Sequence, residues 1–75
     1  MRKILIVEDD TAIAAIERDY LEIEGYETRL VDNGQQAVGE AVGGGYDLIL
    51  LDLMLPGCSG YDICRLIRDK VDVPI

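Results

Sequence analysis

The sequence predicts an α/β fold, a doubly wound parallel sheet, on three observations. Two short aliphatic runs, Ile4-Leu5-Ile6-Val7 and Leu48-Ile49-Leu50-Leu51, lack polar alternation, which is the pattern of strands covered on both faces. Between and after them, apolar residues recur at helical spacing. Both runs also end in carboxylates, Glu8-Asp9-Asp10 and Asp52. In open α/β sheets the carboxyl ends of strands are where ligands bind.

Each element has its own signal. Residues 3–8 read as the first strand. Residues 11–24 read as a helix, with Ala12, Ile13, Ile16, Tyr20 and Ile23 at helical spacing and Asp10 or Thr11 as the cap. On that spacing Ile13 and Ile16 are expected as core or edge contacts, and Ala14 and Ala15 as exposed neighbours. Gly25 is the C-terminal stop. Residues 26–31 are more polar and read as a strand nearer an edge. Asp32-Asn33-Gly34 makes a turn and supplies a cap. Residues 35–42 form a weaker helix with Ala37, Val38 and Ala41 on one face; Gly39 inside it costs about 1 kcal/mol relative to Ala. Gly43-Gly44-Gly45 ends it, and this triplet lacks the Lys-Ser/Thr of a phosphate loop. Residues 47–52 are the third and most apolar strand. Pro56-Gly57 fits a type II turn, and Ser59 with Asp62 resembles a capping box. A helix follows over about residues 60–70, with Ile63, Leu66 and Ile67 inward. Val73-Pro74-Ile75 reads as the opening of a fourth strand.

At 75 residues the chain allows one domain. Fifteen acids against seven bases give a net charge of −8, which argues against direct nucleic-acid binding. Cys58 and Cys64 are the only cysteines and there is no His; their spacing matches neither a zinc site nor a redox CxxC. Met1-Arg2-Lys3 before four apolar residues is too short a start for a signal peptide, and no run is long enough to span a membrane. A soluble, cytoplasmic domain is the expectation.

The order β-α-β-α-β-α with right-handed crossovers makes the sheet parallel. In a flavodoxin-like winding the spatial order begins 2-1-3. The first and third strands then lie side by side, and Glu8 and Asp9 approach Asp52. Three clustered carboxylates do not stay ionised without cost. A raised pKa is one solution; a hard divalent cation such as Mg²⁺ is another. A carboxylate beside such a cation can attack a phosphoryl group.

These residues resemble a known family. Ile4-Leu5-Ile6-Val7-Glu8-Asp9-Asp10, Asn33-Gly34, Tyr46-Asp47 running through Leu51-Asp52-Leu53-Met54-Leu55-Pro56-Gly57, Gly60 and Val73-Pro74-Ile75 are similar in order and spacing to the receiver domain of two-component response regulators. The resemblance implies a CheY-like fold and a phosphoacceptor signalling role, not an enzyme. It implies that Asp52 accepts a phosphoryl group from a sensor histidine kinase. It also implies that Glu8 and Asp9 hold Mg²⁺ together with Asp52, and that Met54 contributes its backbone carbonyl. In the family the kinase-facing surface lies around the first helix. The sequence style is closest to regulators that carry a C-terminal DNA-binding output domain in the parent protein.

The chain departs from the family in one respect. Receivers continue with a Ser or Thr after the fourth strand and a Lys after the fifth, and neither is present here. On this reading residues 1–75 are the N-terminal portion of a receiver, truncated after the third helix at the start of the fourth strand, with phosphorylation and switching impaired. An exposed edge on the third strand would then favour self-association, as a homodimer or by exchange of elements.

Blander readings compete. A lone Asp after a strand is usually a cap or turn residue, and Glu8-Asp9-Asp10 can merely favour a helix dipole; Asp10 is read as doing only that. Tyr61 and Arg65 fit a solvated helix face. A haloacid dehalogenase-type phosphatase wants an acid two residues after the nucleophile, where this chain has Met54. A flavodoxin wants a hydroxyl-rich phosphate loop where this chain has three acids. An inert half-domain, or a self-associating structural module without phosphotransfer, is the remaining alternative.

Overall fold

The aliphatic run at residues 4–7 forms the central strand, because only a strand covered on both faces buries four consecutive apolar side chains. The computed structural model describes residues 2–52 and 60–75. Its elements are β1 (Lys3–Val7), α1 (Thr11–Ile23), β2 (Glu27–Val31), α2 (Gly34–Gly43), β3 (Leu48–Leu51) and α3 (Gly60–Arg68). The three strands form one parallel sheet of order β2-β1-β3. The more polar run, Glu27–Val31, takes an edge, as its alternating exposure requires.

The two faces of β1 have different partners. Leu5 and Val7 join Val31 and Ile49 in one core with Ala37 and Ala41 of α2 and Ile63 and Ile67 of α3. Each fully buried aliphatic side chain there is worth roughly 1.5–3 kcal/mol. Ile4 and Ile6 point to the other face and are also buried. That face is the one α1 covers, and Ala14 is its only buried residue.

Local chemistry fixes the helix ends. The Asp10 carboxylate accepts from Ala12 N at 2.9 Å and Ile13 N at 3.1 Å, a cap worth about 1 kcal/mol. Asn33 caps α2 by accepting from Gln36 N at 2.9 Å, and its own amide donates back to Gln36 Oε1 at 3.1 Å. At the end of α1, Gly25 has φ 94°. Tyr26 N donates to Leu21 O and Gly25 N to Glu22 O, both at 3.1 Å; this paired closure suits a glycine in the left-handed region.

A polar cluster holds the amino-terminal side of the sheet. Lys3 Nζ donates to Gly44 O at 2.6 Å and lies 4.6 Å from the centroid of the Tyr46 ring. The Tyr46 hydroxyl donates to Glu40 Oε1 at 2.8 Å, and Arg29 Nε stands 3.4 Å from the same oxygen. Lys3 N donates to Asp47 Oδ2 at 2.8 Å while Asp47 N donates to Lys3 O at 2.7 Å. These bonds set the β1–β3 register from below.

Three expectations from the sequence need correction. On α1 the apolar positions Ile13, Ile16, Tyr20 and Ile23 are exposed, while Ala14 is buried and Ala15 half-buried. Ala14 is the α1 residue that faces inward, and at about 100° per residue Ile13 and Ile16 project from other sides of the helix. On α3, Ile63 and Ile67 are buried but Leu66 is exposed, since one residue is a turn of about 100°. Val73-Pro74-Ile75 forms no strand among the described residues. Ile49 N donates to Pro74 O at 2.9 Å, Val73 and Ile75 pack against the core, and Pro74 has no N–H to return. The turn at Pro56-Gly57 and the pairing of Ser59 with Asp62 lie outside the described residues.

Candidate acidic site at the strand ends

In the β1–β3 ladder Val7 stands opposite Leu51. Parallel strands end on the same edge, so the next residue of each, Glu8 and Asp52, leaves the sheet there. Glu8 N donates to Val31 O and Asp52 N donates to Val7 O, both at 3.0 Å. Both acids are thus anchored by backbone bonds to a neighbouring strand, and their positions do not depend on a loose loop.

Carboxylate oxygens of Glu8, Asp9 and Asp52 all lie within 4.8 Å of one another. Glu8 and Asp52 are half-buried and Asp9 is exposed. The three consecutive acids of the first strand end therefore divide. Glu8 and Asp9 face Asp52, while Asp10 turns its carboxylate to the first turn of α1.

The crowding has an electrostatic consequence. Burial pushes the Glu8 carboxyl above its ordinary value. The Asp10 N–H, donating to Glu8 Oε1 at 3.1 Å, works against that by favouring the ionised form. The charge of Asp52 and hydrogen bonds with Asp52 and Asp9 raise it again.

An oxygen-only donor set at this spacing suits a hard cation. Ligand oxygens around Mg²⁺ lie at about 2.0–2.1 Å from the ion, so neighbouring and opposite ligands stand roughly 3 and 4 Å apart. A small inward movement of the three carboxylates meets that geometry.

The other expected residues fall elsewhere. Met54, Gly57 and Cys58 lie outside the described residues. Tyr61 and Arg65 are exposed on α3, with Arg65 Nη2 3.8 Å from Asp62 Oδ1, an exposed pair worth at most a few tenths of a kcal/mol. Cys64 is a free thiol. No sequence pattern signals the cleft of about 400 Å³ that opens beside Glu8 between α1 and the end of β2, with Thr11, Arg18, Asp32 and Gln36 among its walls. Its lining comes from four separate elements, so no local motif marks it.

The sequence profile of the response regulator receiver domain matches residues 4–75. The transcriptional regulatory protein ResD of Bacillus subtilis is 47% identical over 73 residues, covering 97% of this chain and 30% of that protein. The chain thus spans about a third of the length of the curated relatives it matches. Among solved structures, the response regulator TrrA of Thermotoga maritima in complex with Mg²⁺-BeF is 38% identical with a TM-score of 0.90, over 93% of this chain and 61% of that one. TrrA bound to the histidine kinase ThkA superposes with a TM-score of 0.91 at 38% identity, over 97% of this chain and 64% of that one.

Proposed function

The chain belongs to the response regulator receiver domain family, and on that footing we propose that Asp52 is its phosphoacceptor and that Glu8, Asp9 and Asp52 hold Mg²⁺. A receiver is a phosphoacceptor signalling module of two-component systems, not an enzyme. The observation that carries the proposal is the meeting of three carboxylates from two strand ends within 4.8 Å.

An Asp52 carboxylate oxygen forms a bond to phosphorus, and the bond from phosphorus to the donor breaks. For a phosphohistidine donor the departing electron pair stays on the ring nitrogen. The product is an acyl phosphate on Asp52. Bound Mg²⁺ supplies positive charge that offsets the repulsion between a carboxylate and an incoming phosphoryl group. Glu8 and Asp9 would hold the ion from the first strand end, with Asp9, the more exposed of the pair, as the more direct ligand. On the family resemblance, Met54 would contribute its backbone carbonyl to the same ion.

Two features of relatives support this assignment. TrrA binds Mg²⁺ with the fluoride BeF, and it forms a complex with a histidine kinase. The donor we propose for this chain is likewise a sensor histidine kinase. ResD is a transcriptional regulator, so we assign DNA binding to an output domain of the parent protein. The net charge of −8 keeps that role away from this chain. Among the described residues no helix is long and apolar enough to cross a membrane.

The test is phosphorylation by acetyl phosphate, read by intact mass. The mass of one phosphoryl group should be gained only with Mg²⁺ present, and lost in Asp52→Asn. Label that persists in Asp52→Asn would place the acceptor elsewhere.

A further inference from the structure

The cleft beside Glu8 has no part in phosphoryl transfer to Asp52. Its walls all come from the segment between Glu8 and Gln36, on the β2 side of α1. In a flavodoxin-like winding further strands add beyond β3, and β2 keeps the edge of the sheet. At about 400 Å³ the cleft falls in the range of small-molecule sites, about 300–1,000 Å³.

Its charges are separated along its length. Val7 and Val31 are partners in the parallel β1–β2 ladder, so their successors Glu8 and Asp32 both stand at the strand-end mouth of the cleft. Asp32 Oδ1 accepts one bond, from Asn33 Nδ2 at 3.1 Å, and a carboxylate has room for more. Arg18 lines the cleft seven residues beyond Thr11 on the same helix, about 10 Å further along its axis. Its Nε meets the exposed Asp19 carboxylate at 3.1 Å, a surface pair of little worth that a better acceptor can replace. Between the two poles the walls are Ala14, Ala15, Leu30 and Val31, which offer apolar surface and no charge.

We propose that this cleft binds a short peptide with free termini. The terminal ammonium pairs with Asp32 and Glu8, the terminal carboxylate takes the Arg18 guanidinium, and small apolar side chains lie along the alanines and Leu30. An extended tripeptide spans about 10 Å, which matches the separation of the poles. Arginine holds a carboxylate through two parallel N–H bonds, so the acid end is fixed in orientation as well as in charge. A single amino acid is too short to reach both poles. A nucleotide would set its phosphates against Asp32 or Glu8 at one end of the cleft.

Nitrogen-15 NMR titration of the chain with trialanine tests this, without divalent ions so that the outcome is separate from the magnesium assignment. Saturable shifts are expected at the amides of Ala14, Ala15, Arg18 and Asp32. N-acetylation and C-amidation of the peptide should each weaken binding by about tenfold. Arg18→Gln should weaken the free peptide by a similar factor and erase the penalty of amidation; Asp32→Asn should erase the penalty of acetylation. Arg18 is half-buried and Asp32 exposed, and unchanged resonances elsewhere in the spectrum report that both variants keep the fold. No saturable shift, shifts confined to another surface, or an affinity indifferent to both caps would overturn the proposal. Binding that needs the carboxylate alone would overturn it as well, and would point to the C-terminus of a protein.

Discussion

Val7 and Leu51 stand opposite each other in the β1–β3 ladder, and their successors Glu8 and Asp52 inherit that proximity. The same strand end sends Asp9 toward Asp52 and Asp10 toward α1. Neighbouring residues of identical chemistry thus have separable roles.

Magnesium should raise the midpoint of thermal unfolding, since a ligand that binds only the folded state stabilises it by mass action. Asp9→Asn should remove most of that increment. Asp10→Ala should instead lower the midpoint by the loss of a cap, about 1 kcal/mol, and leave the magnesium increment intact. Differential scanning fluorimetry with and without the ion separates the two.

The raised Glu8 pKa gives a pH dependence with a definite sign. Its folded value lies above the ordinary 4.5. The stability it contributes is therefore fully present below about 4.5 and is lost as pH rises through the folded value. In urea unfolding without divalent ions, Glu8→Gln should flatten this slope and be more stable than the parent at neutral pH. A Glu8→Gln curve with an unchanged slope would place the proton on another group.

Much of this arrangement was legible in the primary structure. Short aliphatic runs without alternation, bounded by turn residues, read as buried strands, and the flavodoxin-like winding then put Glu8 and Asp52 on one shared edge. The buried face of α1 was not legible. Its apolar residues span a wide arc, and the contact went to the small Ala14 in preference to Ile13 or Ile16. Leu66 lies between the inward positions Ile63 and Ile67, three residues from the first, and falls at the rim of the buried arc. The grouping of Lys3, Glu40 and Tyr46 escaped because it joins segments about forty residues apart without any periodic signal.

Tyr46 is buried, and burial together with its bond to Glu40 pushes its phenol up to about 12. The stability it contributes is present below about 10 and is lost as pH rises through about 12, a change of roughly 3 kcal/mol. Absorbance of the phenolate should show one of the four tyrosines ionising late. Tyr46→Phe should delete that late phase. Its survival in Tyr46→Phe would assign it to another tyrosine.

Two glycines should respond in opposite directions to alanine. A Cβ on Gly44 would run into the Tyr46 ring and the Glu40 carbonyl, so Gly44→Ala should cost about 1–3 kcal/mol. Gly39 sits in the exposed part of α2 with nothing within 4 Å of such a Cβ. Gly39→Ala should stabilise by about 0.5–1 kcal/mol. Chemical denaturation of the two variants beside the parent measures both.

The backbone N–H of Asp10 donates to Glu8, and the Asp10 carboxylate holds the opening turn of α1. A single residue is therefore a mechanical link between the acidic basin and a helix. Any event that alters the charge on Glu8 pulls on that link, and the opening turn of α1 is the first place outside the basin to feel it.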